Sequence, residues 1–170
     1  MYHMPRIVPL LIFCGLLIAN ISIYRAVYAP KMSEIRVFSV GKGNAIIVQT
    51  PRNKTLLIDA GSDAGILRVL GSVLPMWRRS IDAVILTSAD TKSTGGLPDV
   101  TSRYHTPAPV RFGARTSSIP YGTTLTFDTD MHITVIAPHT LTISYGATAF
   151  AFSSSTPALT YRTDGVSVQK

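Results

Sequence analysis

Residues 34–61, "EIRVFSVGKGNAIIVQTPRNKTLLIDAG", carry the pattern that decides the fold. The runs "EIRVFSV", "NAIIVQT" and "KTLLIDAG" either alternate or are rich in β-branched residues, so they predict three consecutive strands. The connections "GKGN" and "PRNK" have the composition of short hairpin turns. The third run ends in Asp59-Ala60-Gly61, which predicts a carboxylate at the end of a strand.

The following segments alternate between helical and extended patterns. Residues 62–77, "SDAGILRVLGSVLPMW", have apolar side chains at helical spacing, with Ser62 or Asp63 as the predicted N-cap. "SIDAVILT" predicts a buried strand, and "GGLPDVTSRY" predicts a second helix with Pro98 in its first turn. Four more strands are predicted within residues 122–154. This order predicts an α/β domain with layered helices and a mixed sheet.

The first thirty residues differ from this domain. Residues 7–24 contain no charge and would span roughly 27 Å as a helix, which predicts an uncleaved membrane anchor. A secretory signal peptide is the alternative, because "AVYA" at residues 26–29 resembles a cleavage site, although Pro30 disfavours cleavage there. We therefore expect an anchor and linker over residues 1–30 and one domain over residues 31–170, on the extracytoplasmic side of the membrane.

Composition places few limits on function. Cys14 is the only cysteine, so no disulfide can form within the chain. The formal net charge is +7, and residues 31–170 hold fourteen Lys and Arg against nine Asp and Glu. A basic surface is compatible with DNA or anionic lipid, but the charges are scattered, as on an ordinary solubilising surface.

Two segments carry a resemblance to a known family. "FSVGKGNAIIVQTPRNKTLLIDAG" and "VLPMWRRSIDAVILTSADTKSTGGLPDVTSRY" resemble the metallo-β-lactamase-like domain of ComEC-type DNA-uptake proteins and of small membrane-anchored hydrolases related to them. The family pattern is D-V-G-Q-G-D-A, then L-I-D-A-G, then T-H-x-D-x-D-H-x-G-G-L. The resemblance covers about residues 34–155. It implies an αββα sandwich, incomplete towards the C-terminus, and a site that uses metal in the family.

The family's metal-binding positions carry other residues in this chain. The first histidine of the family pattern falls on Ser88, and the following acidic residue is present as Asp90. The second aspartate falls on Lys92 and the second histidine on Ser93, whereas the aspartate of "LIDAG" is present as Asp59. A catalytic zinc needs about three protein ligands, and an ammonium group at Lys92 would repel a metal cation. The resemblance therefore predicts a vestigial site with no catalytic residues, metal or cofactor.

Other parts of the family pattern are also only partly present. Gly41 and Gly43 match its glycines, but its two early aspartates fall on Ser39 and Asn44. A later aspartate that commonly binds metal aligns loosely with residues 153–155, which are all serine.

These substitutions predict a membrane-anchored, non-catalytic domain with a binding or scaffolding role, related to DNA uptake if the resemblance extends to function. We expect Lys92 to form an ion pair with Asp90 or Asp59 in the former metal site, or else to point into solvent. The predicted partners are the membrane, through residues 7–24, a protein that covers the incomplete sandwich, and DNA. The alternative is a phosphodiesterase or nuclease that binds zinc or manganese at Asp59, Asp90 and a histidine from elsewhere. A nucleic-acid-binding remnant is a third hypothesis.

Three further motifs are candidates for a metal, nucleophile or anion site. His132 and His139 are seven residues apart and would face opposite sides of a continuous strand, which disfavours a metal pair. A serine nucleophile is disfavoured because the chain has no G-x-S-x-G motif and no histidine is evidently placed as a base. The backbone N–H groups of Gly95 and Gly96 are a predicted anion-binding site, with close strand-to-helix packing as the alternative.

Overall fold

The computed structural model describes residues 12–18, 20, 32–113, 117–153 and 156–170. The chain divides into two compact units, Met1–Pro30 and Lys31–Lys170. In the first unit, residues 12–18 and 20 are helical with exposed side chains, and the rest of the predicted anchor lies outside the described residues. Within the described ranges, no helix combines the length and the apolarity needed to cross a membrane.

The second unit contains two β-sheets and a layer of helices. The strands are β1 Ser33–Val40, β2 Gly43–Gln49, β3 Thr55–Ile58, β4 Ala83–Leu86, β5 Val110–Arg111, β6 Thr124–Asp128, β7 Met131–Ala137, β8 Thr140–Tyr145, β9 Thr148–Phe152, β10 Thr160–Thr163 and β11 Val168–Gln169. The helices are α1 Gly65–Val73, α2 Thr91–Thr94 and α3 Leu97–Arg103.

The larger sheet is mixed, as the sequence predicted. Its strand order is β11-β10-β1-β2-β3-β4-β5, and β3, β4 and β5 run parallel while the other neighbours are antiparallel. The smaller sheet is an antiparallel meander with the order β6-β7-β8-β9. Alternate residues of β1, such as Ile35 and Val37, share one apolar core with the inward residues of β7, β8 and β9.

The opposite face of the larger sheet packs against helices. Ile47 and Leu57 on that face contact a second core that includes Ile66 and Leu70 of α1 and Val100 of α3. Strands β2 and β3 are thus buried on both faces, which explains why their sequences are nearly continuous apolar runs.

The eight predicted strands and the two predicted helices are confirmed, and two details differ. Helix α1 has Ala64 as its N-cap without a side-chain hydrogen bond, and Asp63 Oδ1 accepts from the Gly65 N–H instead. The one-turn helix α2 and the strands β5, β10 and β11 were not predicted. Because β10 pairs with β1, the edge of the larger sheet beside β1 is covered by a strand of the same chain.

The expected αββα sandwich is observed as an αββ arrangement in the described part of the chain. No described helix packs on the outer face of the smaller sheet. The outward positions of that sheet are exposed and mostly small or polar, namely Thr124, Thr126, His132, Ile136, Ala149 and Ala151. A packed helix would find little apolar area there, so this face suits water.

Candidate functional site

The candidate site lies where the carboxyl ends of the parallel strands β3 and β4 meet the turn between β7 and β8. Asp59 follows β3, residues 87–90 follow β4, and His139 occupies the tight turn between Ala137 and Thr140. Parallel strands place the residues that follow them at the same edge of a sheet, which is where α/β folds gather their functional groups. The sequence predicts this position for Asp59 and Asp90, because each of them follows a predicted strand.

Asp59 holds the loop that follows β4. Its Oδ1 accepts from the Thr87 backbone N–H at 2.8 Å, and its Oδ2 accepts from the Thr87 hydroxyl at 2.6 Å. The residue has a left-handed backbone, with φ of 56°, and is only 8% exposed. Burial raises the pKa of the Asp59 carboxyl to about 6, although the hydrogen bonds from Thr87 act in the opposite direction. Both oxygens of this carboxyl are therefore engaged in positioning the loop.

Asp90 links helix α2 to the second sheet. As the N-cap of α2, its Oδ1 accepts from the Ser93 N–H at 3.1 Å, while its Oδ2 lies 2.7 Å from Nε2 of His139. Burial opposes ionisation of Asp90, but the hydrogen bonds from His139 and Ser93 together hold its pKa below the usual value. The Asp90 carboxylate thus fastens the loop to the turn between β7 and β8.

His139 completes the cluster. Its backbone N–H donates to Thr87 Oγ1 at 3.2 Å, and its Nδ1 lies 3.3 Å from the Ser93 hydroxyl. Ser93 also forms a hydrogen bond to the Asp59 carboxyl. Because the Ser93 hydroxyl has one proton, it can donate to only one of Asp59 and His139 at a time.

His139 is the site residue that sequence reasoning missed. The expectation that His132 and His139 face opposite sides assumes one continuous strand. In the structure, His132 lies on the outer face of the smaller sheet and forms a hydrogen bond with Thr126, whereas His139 lies in the hairpin turn with φ of 57°. The pair "Pro-His" between two predicted strands was the available signal, because it marks a tight turn at a strand end.

Lys92 is exposed, which is the second of its two expected arrangements. The side chain that bonds Asp90 is His139 rather than Lys92, and the exposed Lys92 is not in ion-pair contact with Asp59 or Asp90. Its positive charge still lowers the pKa of Asp90 at longer range. Ser93 now has a nearby histidine, but it is fully buried and so cannot act as an accessible nucleophile. The Ser88 hydroxyl accepts from the Asp90 N–H at 3.3 Å, and Ser154 and Ser155 lie outside the described residues.

A cavity of about 280 Å³ adjoins this cluster. Its apolar walls come from both sheets, and its polar lining includes charged and amide side chains of the loops. The apolar lining residues are Val37, Ile46, Ile58, Leu141 and Phe152, and the others are Lys42, Gly43, Asn44, Asp59, Lys92, His139 and Ser153.

The glycines around the loop permit close backbone packing. A Cβ on Gly43 would overlap the carbonyl oxygen of Lys92, and a Cβ on Gly95 or Gly96 would overlap the carbonyl oxygen of Ser62 or Ala60. The N–H groups of Gly95 and Gly96 donate to the carbonyls of Thr91 and Gly61. An anion at the predicted site would have to compete with both hydrogen bonds.

A zinc or manganese ion does not fit the donor groups of this cluster. Two donor atoms, Asp90 Oδ2 and His139 Nε2, lie side by side, but both oxygens of Asp59 are used by Thr87. In the described ranges, no group of three or more His, Cys, Asp or Glu side chains could hold a metal. Catalytic zinc sites use about three protein ligands, so this set is one ligand short.

Among the comparisons with known proteins, the one with solved structures finds similar chains. No protein-family model matches the sequence, and no curated protein matches it significantly. Among solved structures, the chain is similar to a metallo-β-lactamase with a HARLDQ motif from Cronobacter sakazakii, with a TM-score of 0.50 and 12% identity over 65% of this chain and 52% of that chain. A substituted variant of that protein gives a TM-score of 0.49 and 13% identity over 65% and 56%. The chain spans about half the length of these structures.

The first of these likenesses establishes the class of the domain. At 12% identity this similarity shows the fold alone. The chain therefore contains a domain with the metallo-β-lactamase fold.

Proposed function

We propose that the chain is a non-catalytic member of the metallo-β-lactamase fold with a binding or scaffolding role. The observation that carries this proposal is the direct bond between Asp90 and His139, together with the double hydrogen bond from Thr87 to Asp59. In this arrangement the carboxylates that would face a metal hold the loop to the two sheets. The loop is then part of the architecture, and the neighbouring cavity is the place where a ligand could bind.

The lining of the cavity indicates the chemistry of such a ligand. Lys42 and Lys92 supply positive charge, and the walls made by Ile46, Leu141 and Phe152 are apolar. An organic anion with an apolar portion would satisfy both parts, because ammonium groups attract the anion and the apolar walls favour burial of hydrocarbon. A molecule of drug size would exceed this volume, so the ligand is expected to be small.

The cellular context follows from the sequence. Residues 7–24 would hold the domain at a membrane, with the domain on the extracytoplasmic side, and a separate protein could bind the domain as a scaffold. The basic excess supports a role with DNA, as in uptake. Binding of the purified chain to duplex DNA that weakens steeply with added salt would support this role, and absence of binding at about 50 mM salt would remove it.

Metal content is the deciding measurement. We expect full-length chain, purified in mild detergent and incubated with zinc or manganese, to retain far less than one metal per chain after dialysis and to lack phosphodiesterase activity. Asp90→Ala and His139→Ala serve as matched controls, because each removes one of the two adjacent donor groups. Stoichiometric metal that both substitutions abolish, together with turnover lost in Asp90→Ala, would overturn the non-catalytic proposal.

A metal-dependent hydrolase is the second candidate function. It is favoured by one observation, the 2.7 Å separation of Asp90 Oδ2 and His139 Nε2, which brings together two of the ligand types named for a relocated site. The third ligand could be Asp59, which would first have to be released from its hydrogen bonds with Thr87, or it could come from outside the described residues. The same metal titration separates the two functions.

A further inference from the structure

The turn between α1 and β4 presents two large apolar side chains to solvent. Met76 and Trp77 are each 86% exposed, whereas Leu74 before the turn and Ile81 after it are buried. Isolated exposed apolar residues are common on protein surfaces, but two adjacent ones at the tip of a turn form a small protruding patch. Trp77 is also the only tryptophan in the chain.

The base of this turn is fixed. The Arg78 N–H donates to the Pro75 carbonyl at 2.9 Å and closes the turn. The Arg78 guanidinium donates to Asn53 Oδ1 and to Asp82 Oδ2, each at 2.8 Å, and Asp82 in turn accepts from the Thr55 N–H at 2.7 Å. The turn is therefore braced against the hairpin before β3 and cannot bury its tip without breaking these bonds.

The chemistry of the tip matches a membrane interface. Tryptophan is enriched at the boundary between lipid headgroups and acyl chains, because its ring is apolar and its N–H remains hydrated. Arg79 is two positions after Trp77 and is exposed, and it has no side-chain hydrogen bond or ion pair with any other described residue. An unpaired guanidinium next to an exposed tryptophan suits a lipid phosphate.

We propose that residues 75–79 dock on an anionic membrane surface, with Met76 and Trp77 at the acyl-chain boundary and Arg79 on lipid phosphate. The basic excess of residues 31–170 gives the matching charge for such a surface. A protein partner is a poorer fit, because two side chains supply about 300–500 Å² of contact, well below the area of a stable protein interface. This inference rests on the membrane association in the proposed function.

The test uses Trp77 as the built-in reporter. Full-length chain is reconstituted with phosphatidylcholine vesicles, with and without phosphatidylglycerol, and association is measured by flotation. Tryptophan emission is then recorded, along with quenching by lipids brominated in the upper part of the acyl chain. We expect emission at shorter wavelength and strong quenching in the anionic vesicles, with less of both in pure phosphatidylcholine. Trp77→Phe should abolish the signal.

Arg79→Ala is the matched charge variant. It should lower the equilibrium constant for the quenched state roughly fivefold in anionic vesicles and leave it unchanged in neutral ones. Arg111→Ala removes an exposed arginine from β5 and should have no such effect. Equal losses in both variants would overturn the assignment of Arg79.

Flotation distinguishes failure of this proposal from failure of membrane association itself. If the chain floats while Trp77 keeps its solvent-exposed emission, membrane docking of the turn is overturned. The proposed anchor at residues 7–24 is not contradicted by that result. Shielded emission without quenching by lipid would indicate contact with protein and also overturn the proposal. A chain that does not float would overturn both.

Discussion

Gly43→Ala is expected to lower the free energy of unfolding by about 3 kcal/mol, since overpacking in a closed site costs about 1–3 kcal/mol. The added Cβ would overlap the carbonyl oxygen of Lys92, which is a backbone atom, and the position of a Cβ is fixed by its own backbone, so no side-chain rotation relieves the overlap. Either β2 or helix α2 has to move. Urea-induced unfolding followed by circular dichroism gives the free-energy change.

Gly71→Ala provides the matched control. It adds the same methyl group in helix α1, where nothing lies within 4 Å of the new Cβ. Alanine favours helix over glycine, so this variant should be more stable than wild type by up to about 1 kcal/mol. If the two variants changed the free energy of unfolding by the same amount, the close packing of Gly43 against α2 would not be what disfavours a Cβ at position 43.

Asp59→Asn is expected to remove a pH dependence from the stability of the domain. The folded-state pKa of about 6 lies above the ordinary value of 3.8, so between these values the folded chain binds more protons than the unfolded chain. The contribution of Asp59 is therefore fully present below 3.8 and is lost as the pH rises through about 6. As the pH falls through this window, wild type should gain about 1.4 kcal/mol per pH unit relative to Asp59→Asn.

The measurement is the difference in unfolding free energy between wild type and variant across this pH range, because the difference cancels the titration of the other carboxyls. For Asp90→Asn, the difference in unfolding free energy should change with pH in the opposite direction. The lowered pKa of Asp90 stabilises the fold when the pH is above the ordinary pKa of an aspartate, and this stability is lost on acidification. A wild-type advantage over Asp59→Asn that stays constant or shrinks with acidification would contradict the assigned burial of Asp59.

Much of the fold could be predicted because the strands have clear patterns. The alternation in β1 and the apolar runs of β2, β3 and β4 report directly whether one or both faces of a strand are buried. Strand β10 is short, and its sequence "TYRT" has little apolar content. It becomes a strand because it pairs with β1, a contact between residues more than a hundred positions apart that local patterns do not encode.

The site was predictable only in part. Strand ends placed Asp59 and Asp90 correctly, because parallel neighbours bring them to one edge. The partner of Asp90 could not be deduced, since it depends on how the second sheet packs on the first. That packing brings His139 to Asp90 in preference to Lys92, which is only two residues away in sequence.

The pairing of β1 with β10 has a consequence for synthesis of the protein. Ser33 pairs with Thr163 and Arg36 with Thr160, so the outer edge of β1 stays unpaired until residues 160–163 have been made. Contacts of this separation make folding slow and leave an open strand edge in the meantime. On the ribosome, the hairpin of β1 and β2 can form early, but the larger sheet is completed only after most of the domain has been translated. A chaperone that shields β1 during this interval would therefore raise the yield of folded protein.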